Sequence, residues 1–234
     1  MAKNKSQASS SDILEIENEK LTNAFNNAEY FFEQYRNIIL GVIAVFAIAV
    51  GGWWAYNNFV KSPNERKAKD AIVYAQKYFE VDSITLALKG DGTHLGLEAI
   101  AKQYGNTAAG NRAKFEAGVC NLKIGKFPEA IKFLEDANPE DATLTARKFG
   151  CIGDAYAEQN KMDQAIENYK KAADAADNDI TAPTYLYRAA LALEQKGSKK
   201  DALELYKKVV TNYPGSQEGM ASQIYVAKLE AETL

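Results

Sequence analysis

The chain has 234 residues, a formal net charge of −3 and 47% hydrophobic residues, with two cysteines and one histidine. That inventory excludes a disulfide framework and a histidine-rich metal site, and no basic block suited to nucleic acid is present. The part from Lys61 to Leu234 is long enough to bury one well-packed domain.

Residues 1–11, MAKNKSQASSS, are polar and lack apolar periodicity, so they read as a disordered tail. An amphipathic juxtamembrane helix is expected over residues 12–36. Ser11 or Asp12 caps it, and Leu14, Leu21, Ala28 and Tyr35 recur every seven residues beside Phe25, Phe32 and Ile39. Its charges are mainly acidic, whereas a helix lying on anionic lipid is normally rich in Lys and Arg. A protein partner and a solvated extension are the two readings left for it.

Ile38 to Tyr56, IILGVIAVFAIAVGGWWAY, contains no charged residue. At about 1.5 Å per residue it spans the ~30 Å of a bilayer's hydrocarbon core. Tyr30, Phe31, Phe32 and Tyr35 precede it and Trp53, Trp54, Tyr56 and Phe59 follow, the placing expected of rings at the two headgroup layers. Residues 37–60 therefore read as a transmembrane helix, against the alternative of a buried core helix. The run starts too far inside the chain, and is too long, for a cleavable signal. With no ionisable residue it offers no path for ions or protons, so it reads as a tether.

Residues 61–110 form a helical lead-in. Ser62-Pro63 marks a break and a helix start, and Glu65 to Phe79 puts Ala68, Ala71, Ile72, Ala75 and Phe79 on one face. Val81 to Leu88 is ambiguous, because Ile84, Leu86 and Leu88 alternate as in a strand. Gly90-Asp91-Gly92 reads as a turn, its spacing being wrong for a dinucleotide fingerprint. A second helix is expected over Leu95 to Tyr104.

From Asn111 the chain repeats itself. Ala130, Ala165 and Ala202 recur 35 and 37 residues apart, each preceded by twelve residues by Gly118, Gly153 or Ala190. Leu134, Tyr169 and Tyr206 follow at four residues, and Ala137, Ala172 and Val209 at seven. Gly125, Asn160 and Gly197 fall in the turns. This pattern resembles the tetratricopeptide repeat, a helix-turn-helix unit of about 34 residues in which small residues let two helices approach. Three repeats are expected over residues 111–216, with Lys114 and Asn121 departing from the usual aromatics of the first. Glu65 to Tyr104 reads as a further degenerate unit. Residues 217–234 are expected as a C-terminal capping helix that covers the third repeat with Met220, Ile224, Val226 and Ala227. The fold class is all-α, an N-terminal transmembrane helix followed by a tetratricopeptide-repeat solenoid.

Anchor and array together resemble the YfgM-like family, the ancillary subunit of the bacterial SecYEG translocon, from about Tyr30 to the end. The resemblance rests on Phe31-Phe32-Glu33, on Gly52-Trp53-Trp54-Ala55-Tyr56 and on the repeats. Leu86 to Gly92 and Tyr104 to Asn111 are similar to the Bacteroidetes-type form. It implies a cytoplasmic N-terminus and a periplasmic repeat domain at the inner membrane, working with the translocon and a PpiD-like chaperone on exported proteins. Flanking charges point the other way: Arg36 precedes the span, whereas Lys61, Arg66, Lys67 and Lys69 follow it. An assembly factor for another envelope complex is the alternative function.

In the repeat family the first helix of each unit lines a concave protein-binding wall. Carried over, that wall comprises Arg112, Phe115, Val119, Leu122 and Lys123, then Arg147, Asp154 and Glu158, then Tyr187, Leu191 and Glu194. The fifth positions, Phe115, Gly150 and Tyr187, lack the cations of a carboxylate clamp, so the wall is mixed, with apolar and arginine anchors. The competing reading packs several of these apolar groups against the Glu65 to Tyr104 helices. An acid-base inventory would have to come from carboxylates such as Glu135, Asp136, Glu140 and Asp141, and such a cluster at a repeat's end reads as solvated surface. No phosphate cradle, metal-ligand spacing or nucleophile elbow is found, so the chain is expected to be non-catalytic, with no cofactor and no small-molecule substrate. Cys120 and Cys151 lie on first helices of neighbouring repeats and so could approach one another, yet read as structural core thiols.

Overall fold

A computed structural model describes residues 10–232 of the chain, which divides into two units, Met1–Val60 and Lys61–Leu234. Apart from one isolated bridge, regular structure among the described residues is entirely helical.

The first unit is built on α1, Ser10–Tyr56, 47 residues long. Ser10 and Ser11, expected in the tail, already belong to it; the rest of that tail, and the side chains of residues 10–30 and of Phe32, lie outside the described residues. The most apolar 18 residues of this helical region have a mean hydropathy of 2.3, and none is buried. Ile38, Val42, Val45, Phe46, Ile48 and Trp53 all present most of their surface outward. This is the one helix among the described residues long and apolar enough to cross a membrane.

A π-helical turn, Asn57–Lys61, leads into α2, Ser62–Glu80. The helix start expected at Ser62-Pro63 is where α2 begins. Pro63 sits in the first turn, where a missing N–H costs nothing, and Lys61 before it is itself helical. Ala68, Ile72 and Ala75 are buried on the expected face. Val81 to Leu88 resolves as α3, Ile84–Lys89, because the buried set is Ala87 and Leu88 with Ile84 one turn back, while Leu86 faces out. Helix α4, Leu97–Tyr104, starts two residues later than expected, since Leu95 is spent on a bridge to Gly90. Between them Gly90 and Gly92 adopt positive φ, and Asp91 Oδ1 accepts from the backbone N–H groups of Thr93 and His94. The Gly-Asp-Gly stretch is thus a closed turn.

The repeats follow as three helix pairs: α5 (Ala108–Lys123) with α6 (Phe127–Asp136), α7 (Ala142–Glu158) with α8 (Met162–Ala175), and α9 (Thr181–Lys196) with α10 (Lys199–Asn212). A last helix, α11 (Gln217–Ala231), closes the row. Helices α5, α7 and α11 begin on side-chain caps: Thr107, Asp141 and Ser216 accept from the backbone N–H of Gly110, Leu144 and Gly219 at 3.0, 2.8 and 2.9 Å. The turns inside the pairs place Gly125, Asn160 and Gly197 at φ of 75°, 57° and 90°, which is why glycine or asparagine recurs there.

Each helix packs on the next, and the first helices also touch one another in the order α5, α7, α9, α11, whereas α6, α8 and α10 do not. The first helices therefore form the inner layer of a curved row. Helices α2 and α4 pack on α5 in the manner of a preceding unit. Ala130, Ala165, Ala190 and Ala202 are fully buried at the helix contacts. Large side chains fill the space between units, among them Leu97, Ile100, Leu134 and Tyr206, each buried completely and contributing about 1.5–3 kcal/mol.

The capping face differs from expectation. Val226 packs against the core as expected, but Met220, Ile224 and Ala227 are exposed, and α11 instead buries Gly219, Ser222 and Leu229, with Tyr225 also against the core. Contact with both α9 and α10 selects that stripe, and Met220 and Ile224 stand on the opposite side.

Candidate functional site

Three concavities open along the first helices. The first, of about 440 Å³, lies between α2, α5 and α7 and is lined by Phe79, Arg112, Phe115, Glu116, Glu140, Asp141, Leu144 and Arg147, among others. The second, of about 480 Å³, includes Leu122, Lys123, Asp154, Glu158 and Tyr169. The third, of about 360 Å³, is formed by α9 and α11 around Tyr187, Arg188, Leu191 and Glu218.

These concavities divide the residues carried over from the repeat family. Arg112, Phe115 and Arg147 line the first, with the Arg147 guanidinium 5.6 Å from the centre of the Phe115 ring. Phe115 itself is only 8% exposed and Val119 9%, both within a core cluster that also engages Phe79 of α2. Leu122, Lys123, Asp154 and Glu158 line the second. Lys123 donates to Asp82 at 2.6 Å and so ties α5 to the turn after α2. Asp154 is held from two sides: Tyr169 Oη donates to it at 2.8 Å, and Arg188 from the next repeat donates to both its oxygens at 2.8 and 2.9 Å. Such a pair fixes the angle between neighbouring repeats.

In the third, Tyr187 rests against Tyr206 and Tyr225 at 5.8 and 5.9 Å, while those two rings stack at 4.9 Å. Tyr187 is thus partly a packing residue, and burial pushes its hydroxyl pKa up to about 12. Leu191 is half-buried beside it. Glu194 lies outside the three, accepting from Lys228 Nζ at 2.8 Å and from Tyr206 Oη at 3.3 Å. Gly150, the fifth position carried over from the repeat family in the second unit, has no room for any side chain, because the ring of Tyr185 occupies the place a Cβ would take.

Three contributors escaped sequence reasoning. Phe79 reads in sequence as part of the apolar face of α2, and no spacing in the sequence singles out Leu144. Glu116 follows Arg112 by four residues, the spacing of an ordinary solvated ion pair. The pair does form, Arg112 Nε donating to Glu116 Oε1 at 2.8 Å, but Glu116 is only 4% exposed.

Among the described residues no group of His, Cys, Asp and Glu is arranged to hold a metal ion. Both cysteines are free thiols, Cys120 fully buried and Cys151 half-buried. Burial pushes their pKa values up to about 12 and about 11.

A tetratricopeptide-repeat family model matches residues 152–217. The chain is also similar in fold to the nearly identical TPR-like repeats of a Podosopora anserina kinesin light chain candidate, with a TM-score of 0.52 at 15% identity over 70% of this chain and 85% of that one. A glutamine-to-methionine variant of the same repeats matches at the same score and identity, over 70% and 84%. No curated protein sequence matches the chain. The chain therefore carries tetratricopeptide repeats in a TPR-like helical solenoid, an architecture typical of protein-binding scaffolds.

Proposed function

We propose that the protein is a non-catalytic, membrane-anchored scaffold that binds other proteins along the inner face of its repeats. The observation that carries this reading is the layering of first helices, which exposes three concavities of mixed apolar and charged lining. The anchor is supported by the uncharged, outward-facing apolar side chains of α1, an exposed apolar surface far larger than soluble proteins maintain. The resemblance at Phe31-Phe32-Glu33 and Gly52 to Tyr56 supports a finer reading. In it the scaffold serves the Sec translocon of the bacterial inner membrane beside a PpiD-like chaperone, with the repeats periplasmic.

Affinity purification of the full chain from membranes in mild detergent tests this. Translocon subunits and an envelope chaperone are expected among the recovered proteins. Recovery of another envelope complex would move the chain to an assembly role, and recovery of none would overturn the scaffold reading. Glu158 is exposed in the second concavity, so Glu158→Arg should lower recovery several-fold without changing the fold.

Topology is tested separately. Protease added to intact spheroplasts should degrade the repeats, and their full protection would place them in the cytoplasm as the flanking cations suggest.

A further inference from the structure

The first concavity contains a group that its own surroundings leave incomplete. Glu116 Oε1 accepts from Gln76 Nε2 at 3.1 Å and from Arg112 Nε at 2.8 Å. Its other oxygen, Oε2, is buried and has no hydrogen-bond partner. A carboxylate oxygen removed from water without a donor is costly, and the cost is recovered when a donor arrives.

The residue screening Glu116 is largely solvated. The side chain of Arg112 is 64% exposed and touches the carboxylate through one nitrogen, against 6% exposure for Glu116. A single-contact, largely solvated arginine is readily displaced by a competing cation. Around Glu116 the lining combines the rings of Phe79 and Phe115 with Leu144, and its ionisable groups are three acidic (Glu116, Glu140, Asp141) against two basic (Arg112, Arg147). The site therefore has an apolar floor, an unsatisfied buried acceptor and a negative balance.

We propose that this concavity takes the lysine or arginine side chain of a partner's segment, which donates to Glu116 Oε2 while a neighbouring apolar side chain packs on Phe79, Phe115 and Leu144. The inference rests on the protein-binding reading and adds the chemistry of the occupant. A partner recognised through its terminal carboxylate would meet the opposite charge here.

Selection of random twelve-residue displayed peptides on the full chain in lipid nanodiscs tests it. Enriched peptides should carry Lys or Arg next to an aliphatic or aromatic residue. Synthetic copies should lose at least tenfold in affinity when their cation is replaced by glutamine, and again when the protein carries Glu116→Gln. That variant keeps the side chain's shape while removing its charge. Because a buried position can also affect folding, Leu144→Lys provides a second arm on the rim, where the added positive charge should weaken the same peptides several-fold. Enriched peptides that lack a cation, or that bind both variants as tightly as the unaltered chain, would overturn this inference and leave the scaffold reading intact. Failure to enrich any peptide would count against both.

Discussion

Replacing Gly153 by leucine should destabilise the repeat domain by about 3 kcal/mol, at the upper end of what overpacked cores cost. The reason is specific to its neighbour. A Cβ at Gly153 would stand 2.6 Å from Cε1 and 2.7 Å from Cδ1 of Tyr169. That ring cannot step aside, because it is 5% exposed and its hydroxyl donates to Asp154, which Arg188 holds in turn. Leucine adds three more carbons to the same collision. For a domain of this size the calorimetric midpoint of the full chain should fall by about 6–12 °C. Gly118 is the companion site: its Cβ would meet Cγ of the fully buried Leu134 at 2.5 Å and the backbone oxygen of Ala130 at 3.2 Å, so Gly118→Ala should also lower the midpoint. An unchanged midpoint for Gly153→Leu would mean that the repeats are misaligned.

Stability should also fall steeply in alkali, with Cys120 a principal cause. Burial raises its thiol pKa to about 12 in the folded chain, from an ordinary value of 9.0. The unfolded chain therefore loses this proton first as pH rises, so the thiol's contribution is fully present below pH 9 and is lost progressively between about pH 9 and 12. Fully buried, Cys120 contributes a change of a few kcal/mol over that interval, at about 1.4 kcal/mol per unit. Cys151, raised to about 11, and the hydroxyls of Tyr169 and Tyr206, raised by burial beside carboxylates, act in the same direction. Urea midpoints should be level to about pH 9 and drop beyond it, and the drop should be shallower in Cys120→Ala. Identical pH profiles for the two chains would remove Cys120 from the account. The same neutral thiols should react slowly with iodoacetamide at pH 7–8 in the folded protein.

Sequence by itself determined whatever depends on distance along one helix or on the backbone of one residue. The apolar run of α1 is a property of composition. The small residues Gly118, Ala130, Gly153, Ala165, Ala190 and Ala202 mark where two helices of a unit touch, because close approach tolerates little else, and all are buried. Gly125, Asn160 and Gly197 mark the turns, because a positive φ disfavours residues with a branched or bulky side chain. The buried face of α2 follows from its period.

Which side chains of the inner layer remain free was decided only by the tertiary structure. The rotation from one unit to the next determines what each first helix meets, and no spacing within a helix contains that angle. It buries Phe115 and Val119, fills the space at Gly150 with Tyr185, and binds Asp154 to Arg188 across 34 residues. It also turns Met220 and Ile224 outward, since α11 must meet two helices at once. The placement of Glu116 depends most on it. In sequence Glu116 is an ordinary helix carboxylate four residues from an arginine. Gln76, 40 residues away, and the walls of α2 and α7 take it out of water and leave one oxygen without a donor.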